Sequence, residues 1–241
     1  MTTDPSTTTL ILQHQDDDGP GNLQTWLHDR AMPYEIVDVT AGALPASGHY
    51  RALAILGSSR SAYDTDEPWI QAEHDFVRAC IAAGTPVLGI CFGAQLLAMV
   101  LGGHVGRMPN PELGWYDIAG EQPYGGTWFV WHGDEIIAPP GSTVLARTDR
   151  CTHAFAHGHH LGVQYHPELT SAHIDFWLAT PRRRRSITDS GGDIDNIRSA
   201  TSQFEPNAVA NAAQLYGQFF CCHEPNAHQG ESSCPPVSLV Q

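Results

Sequence analysis

Lysine is absent from this 241-residue chain; all 12 basic residues are arginine. That absence excludes a phosphate-loop lysine, a Schiff-base lysine and a lysine general base. Positive charge is scarce altogether: 12 basic residues face 26 acidic ones, a formal net charge of −14. Nucleic acid and anionic membranes are therefore not expected as main partners. The opening MTTDPSTTTL lacks a basic segment followed by an apolar run, so no secretory signal is expected. The six cysteines (Cys80, Cys91, Cys151, Cys221, Cys222 and Cys234) follow neither a regular framework nor paired C-x-x-C spacing. A reduced, cytoplasmic protein is the expectation. No uninterrupted apolar run is long enough to span a bilayer: residues 81–103 come nearest, but Pro86, Gln95 and five glycines break them. That stretch reads as a buried strand, a tight turn and a buried helix.

With 41% hydrophobic and 16% charged residues, the chain has the composition of a globular protein. Short apolar, often β-branched runs alternate with helical patterns, the signature of βαβ units and a mainly parallel sheet. Strands are expected at residues 8–12, 34–39, 52–56 and 86–90. Helices are expected through Leu23, Trp26 and Leu27, from Pro68 through Ile81, and over residues 94–101. From about residue 104 the texture changes to short strands and glycine turns (TWFVWH, TVLART, HAFAH, HLGVQYH), an antiparallel or mixed extension. A helix over residues 171–178 should stop at Pro181, and a last one should run over 207–220. The expectation is one domain over residues 1–222 followed by a loose tail, 223–241.

Gly89-Ile90-Cys91-Phe92-Gly93 falls where a buried strand enters a helix. This is a G-x-nucleophile-x-G elbow, whose glycines let the chain turn sharply and hold the middle residue in a strained conformation at the sheet's edge. A cysteine there has a helix N-terminus to stabilise its thiolate, and the Phe92 N–H beside the place where an oxyanion would form. The plain alternative, a small core hydrophobe, does not explain the strand, elbow and helix together. The base should be a histidine distant in sequence. His166, in GVQYHPE at the end of a predicted strand, is the best placed, because residues two apart on an extended segment face one side and Glu168 can then reach its ring. A carboxylate on one ring nitrogen fixes the tautomer and leaves the other to manage the thiol proton.

PVLGICFGAQLLA, PELGW, WHGD and GVQYHPE, in that order and at those intervals, resemble a class I glutamine amidotransferase domain, nearest to stand-alone proteins similar to the amidotransferase part of GMP synthase. The resemblance runs from about residue 50 to 220. It implies a flavodoxin-like α/β sheet and a Cys91–His166–Glu168 triad. It also implies that Gln95 contacts the substrate glutamine, and that Trp131, His132, Gly133 and Asp134 lie along the substrate's α-amino and α-carboxylate end. Relatives often carry Gly-Gly-Pro where this chain has Gly57-Ser58-Ser59, the loop that supplies the second oxyanion N–H. Gly57 or Ser58 can still serve, since a backbone donor needs no particular side chain.

The activity implied is hydrolysis of the glutamine side-chain amide without a cofactor. Ammonia would pass to a separate acceptor synthetase, because the chain is too short to contain one and lacks a lysine loop for ATP. A γ-glutamyl peptide hydrolase or an acyltransferase would use the same triad, and a non-catalytic scaffold would be expected to have lost part of it. His153, His157, His159, His160 and His166 crowd one region, but no carboxylate or cysteine keeps metal-ligand spacing with them, so no metal is expected. Glu112 to Trp115 could border the pocket or anchor a turn. Arg182 to Arg185 read as a solvated loop, with a docking patch for an acidic partner as the alternative.

Overall fold

The structure, a computed structural model, describes residues 4–42, 44–64 and 66–221. The tail beyond Cys221, with Cys222 and Cys234, lies outside the described residues. These form nine strands in one sheet, in the order β2-β1-β3-β4-β9-β8-β7-β5-β6. The parallel half comprises β2 (Tyr34–Asp38), β1 (Thr9–Gln13), β3 (Ala52–Ile55), β4 (Val87–Ile90) and β9 (His160–Val163). Buried on both faces, β3 and β4 carry the unbroken apolar runs that a covered parallel sheet requires. The antiparallel half adds β8 (Thr152–His157), β7 (Thr143–Arg147), β5 (His104–Gly120) and β6 (Gly126–Ile137). The expected flavodoxin-like α/β architecture with an antiparallel extension is what forms. Six helices flank the sheet: α1 (Gly21–Asp29), α2 (Pro68–Ala82), α3 (Phe92–Val100), α4 (Ser171–Ala179), α5 (Pro181–Asp189) and α6 (Ile194–Cys221). Among the described residues, no helix is long and apolar enough to cross a membrane.

Three local expectations are corrected. The long strand β5 did not read as one, because Pro109 and Pro111 interrupt its pattern; the pairing with β6 absorbs them at a register shift between Arg107 and Glu112. Pro181 does not simply end a helix: it opens α5 from the first turn, where no N–H is required. Arg182 to Arg185 are therefore helical, not a solvated loop. Arg183 is 7% exposed, and its Nη2 donates to Asp17 Oδ1 at 2.6 Å and Asp18 Oδ2 at 2.8 Å. Finally, α6 begins at Ile194 and runs through Pro206, rather than starting after it.

The β4–α3 junction depends on two glycines. A Cβ on Gly89 would lie 2.7 Å from the Ala94 nitrogen, and one on Gly93 would lie 2.7 Å from the Ile55 carbonyl carbon. Backbone cannot move aside as a side-chain tip can. Gly89→Ala is expected to destabilise the fold by roughly 1–3 kcal/mol, the usual cost of overpacking, and to displace the elbow. Urea denaturation of the variant beside the parent chain measures this; an unchanged midpoint would contradict the close packing.

Candidate active site

Three neighbouring parallel strands end together, and chemistry-bearing residues follow each: Gly57 after β3, Cys91 directly after β4, and His166 after β9. The carboxyl ends of parallel strands are where open α/β sheets bind ligands, and adjacent strands lie only about 4.8 Å apart. A cavity of about 240 Å³ opens there, with Gly57, Cys91, Gln95, His132, Asp134 and His166 in its lining.

Cys91 has φ 53° and ψ −106°, a left-handed conformation that a residue with a Cβ adopts only under constraint. The constraint is visible: its N–H donates to the Val163 carbonyl at 2.8 Å, and its own carbonyl accepts from the N–H groups of Ala94 and Gln95 at 3.1 Å. Cys91 is thereby the N-cap of α3, and the Phe92 N–H heads the helix where no carbonyl of the same helix is available. The thiol sits among polar groups. Gln164 Nε2 donates to Sγ at 3.5 Å, and the Trp131 carbonyl lies 3.8 Å from it.

His166 and Glu168 meet as the two-residue spacing predicts: Nδ1 and Glu168 Oε1 are 2.7 Å apart, both side chains nearly enclosed. Burial alone would drive the imidazole pKa down. The charge of Glu168, with the charge and hydrogen bonding of Cys91, outweighs that and holds it well above the ordinary 6.5. The structure thus brings together the three residues singled out from sequence.

The remaining sequence-predicted residues divide by environment. Gln95 lines the cavity and donates through Nε2 to Gln164 Oε1 at 3.2 Å. Gln164 therefore bridges Gln95 and Cys91, a role the sequence reading missed although the residue lies inside GVQYHPE. Asp134 accepts from Ser61 Oγ at 2.6 Å and Tyr63 Oη at 2.9 Å, leaving its carboxylate fixed at the cavity wall. Gly133 lies beside Arg107, whose Nη1 would be 3.3 Å from a Cβ there. His132 offers the cavity neither ring nitrogen: Nδ1 is 2.9 Å from the Asp134 carbonyl, and Nε2 points into the interior, 3.1 Å from Glu112 Oε2. Glu112 accordingly lies behind the pocket wall, buried on β5.

Two further contacts had no sequence signal. Gly57 packs so close to His166 that a Cβ would sit 3.2 Å from Cε1. Its carbonyl lies 3.0 Å from His14 Nδ1, while His14 Nε2 lies 3.0 Å from both oxygens of buried Glu73. Burial opposes charge on His14, but Glu73 and the Gly57 carbonyl raise its pKa, so the ring donates at both nitrogens. In a trans peptide the carbonyl and the following N–H point oppositely, so this clamp turns the Ser58 N–H away from His14. On the other flank, the Arg183 guanidinium lies 5.4 Å from the Trp131 ring and 5.7 Å from the Trp177 ring, within cation–π range. Arg183 thus joins α5 to the cavity rim.

Comparison with known proteins gives a consistent family. The family described as glutamine amidotransferase class-I matches residues 22–176. The GMP synthase [glutamine-hydrolyzing] of Aeropyrum pernix is 34% identical over 171 residues, covering 64% of this chain and 31% of that protein. The one from Thermomicrobium roseum is 36% identical over 129 residues, 49% of this chain and 23% of that protein. The chain thus spans a third or less of the length of these relatives. In fold, a glutamine amidotransferase from Thermotoga maritima superposes with a TM-score of 0.81 at 21% identity, over 89% of this chain and 98% of the other. A glutamine amidotransferase from Methylobacillus flagellatus gives 0.80 at 24%, over 93% and 99%.

Proposed function

Because the chain belongs to the class I glutamine amidotransferase family, we propose that it hydrolyses the side-chain amide of glutamine at Cys91 and delivers the ammonia to a separate acceptor enzyme. The observation that carries this is the strained Cys91 in the lining of one cavity with His166, whose Nδ1 lies 2.7 Å from Glu168 Oε1.

Cys91 thiolate attacks the amide carbon, and the amide oxygen becomes an oxyanion held by the Phe92 N–H and an N–H of the Gly57–Ser58 turn. Protonated His166 gives its proton to the departing nitrogen, so that ammonia leaves and a thioester with Cys91 remains. Neutral His166 then takes a proton from water; hydroxide adds to the thioester, the C–S bond breaks, and glutamate leaves. Glu168 stabilises the imidazolium in each half and is not itself consumed. The fixed Asp134 carboxylate suits the substrate's α-ammonium, while Gln95 and Gln164 flank the nucleophile as hydrogen-bond partners. Glutamate release from glutamine, compared with a panel of γ-glutamyl peptides and amides, tests the substrate. Turnover of γ-glutamyl peptides in preference to glutamine would make the protein a γ-glutamyl hydrolase instead.

The dependence on an acceptor has its own test. The Gly57-Ser58-Ser59 turn lacks a second glycine, and its carbonyl is pinned by His14, so reorientation of this peptide is resisted at two points. The isolated chain is expected to hydrolyse free glutamine slowly and to accelerate when its acceptor enzyme is added. Steady-state turnover by the isolated chain on the order of ten per second, ordinary for an enzyme, would overturn partner dependence.

A further inference from the structure

Behind the wall of the cavity, Glu112 of β5, His132 of β6, Cys151 just ahead of β8 and His153 of β8 converge, all four buried, with one potential ligand atom of each lying within 4.8 Å of all the others. We propose that these four side chains form a structural zinc site. The sequence argument against a metal, that no cysteine or carboxylate keeps ligand spacing with the histidines, does not survive folding. The carboxylate and one histidine arrive from other strands, and of the crowded histidines only His153 takes part.

The distances fit the ion. Zinc bonds of about 2.0–2.3 Å set tetrahedral edges of roughly 3.3–3.8 Å. Here Glu112 Oε2 is 3.1 Å from His132 Nε2 and 3.1 Å from His153 Nε2. Cys151 Sγ is 3.3 Å from His153 Nε2 and 3.7 Å from Glu112 Oε2. Cysteine and imidazole donors favour zinc over magnesium or calcium, and four protein ligands leave no open position for chemistry.

Hydrogen bonding points the same way. His132 Nδ1 lies 2.9 Å from the Asp134 carbonyl, which can only accept, so that nitrogen carries a proton and Nε2, facing the cluster, is the one available to a metal ion. This outer contact is the one that orients metal-binding histidines. Although Glu112 Oε2 is 3.1 Å away, the buried Nε2 has no hydrogen-bond partner, and neither has Glu112 Oε1. A neutral Nε2 would set its lone pair against carboxylate lone pairs in the interior, and either a proton or a metal cation between them removes that clash. A dication satisfies both and balances charge, because ionised Glu112 and Cys151 with two neutral imidazoles sum to −2. Among other cations, Arg150 Nη1 stays 3.7 Å from Glu112 Oε1 with its side chain 42% exposed. The ion would fasten the start of β8 to the β5–β6 pair and so brace the strand that carries Asp134.

The test uses the full untagged chain, stripped of metal and then titrated with Zn²⁺ or Co²⁺. The expected result is stoichiometric zinc retained through gel filtration. Cobalt should give the intense visible bands of a tetrahedral site with a thiolate-to-cobalt charge-transfer band. Cys151→Ser should abolish that band and weaken zinc binding by more than the roughly 10–100-fold typical of losing an outer-shell partner. His153→Ala should weaken binding likewise, whereas the double variant Cys222→Ser, Cys234→Ser should bind as the parent does. Substoichiometric zinc, a weak six-coordinate cobalt spectrum in the parent chain, or binding indifferent to Cys151 and His153 would each overturn the site. The parent cobalt spectrum decides even if a variant fails to fold.

Discussion

Cys91→Ser should lose at least about 10³-fold in glutamine turnover with its circular dichroism and urea midpoint unchanged. A hydroxyl in the same place is a far weaker nucleophile at neutral pH. The fold should tolerate the change because serine meets the same backbone demand as cysteine at φ 53°, and its smaller oxygen fits where Sγ sits between Gln164 and the Trp131 carbonyl. Retention of more than a few per cent of the parent rate would mean that another group attacks the substrate.

The second large effect separates the roles of His166 and Glu168. His166→Ala removes the proton carrier for both halves of the reaction and is expected to cost more than about 10³-fold in kcat, while Glu168→Gln should cost about 10²-fold. Equal losses, or the reverse order, would contradict the role assignment. The two also differ in pH dependence. The His166 pKa is raised, so the charged imidazole and the ion pair it makes persist below that raised value and are lost as the pH climbs through it. Glu168→Gln removes a carboxylate 2.7 Å from Nδ1, so the alkaline limb of activity should move to lower pH. The stability part has the same sign: the contribution of charged His166 is complete below about 6.5, its unfolded value, and disappears as the pH rises through the folded one.

What could be read from the sequence follows from which interactions are local. The central parallel strands β1, β3 and β4 were legible because burial on both faces demands unbroken apolar runs. The elbow was legible because Gly89 answers a contact with Gly93 and Ala94, within a few residues of Cys91, and the glycine pair flanks the nucleophile in a recognisable pattern even though Gly93 answers Ile55 on β3. The His166–Glu168 pair was legible because strand geometry alone sets its spacing. The features that escaped notice depend on distant partners. His14 and Glu73 meet across 59 positions to pin Gly57. Arg183 is drawn out of its basic run by Asp17 and Asp18, more than 160 positions away. Glu112 and His132 become neighbours only through a β5–β6 pairing that passes a register shift around two prolines. At Pro181 one helix ends as read, but the same proline opens α5, and α6 runs through Pro206 where only its second half was expected.

The most direct test of Cys91 as the nucleophile toward glutamine is peptide-mapping mass spectrometry of the chain after incubation with a diazoketone analogue of glutamine. The account predicts a single covalent adduct on Cys91, slowed by excess glutamine and absent from Cys91→Ser. Labelling spread over Cys80, Cys151 and Cys221, or an adduct on Cys91 that glutamine does not slow, would contradict it.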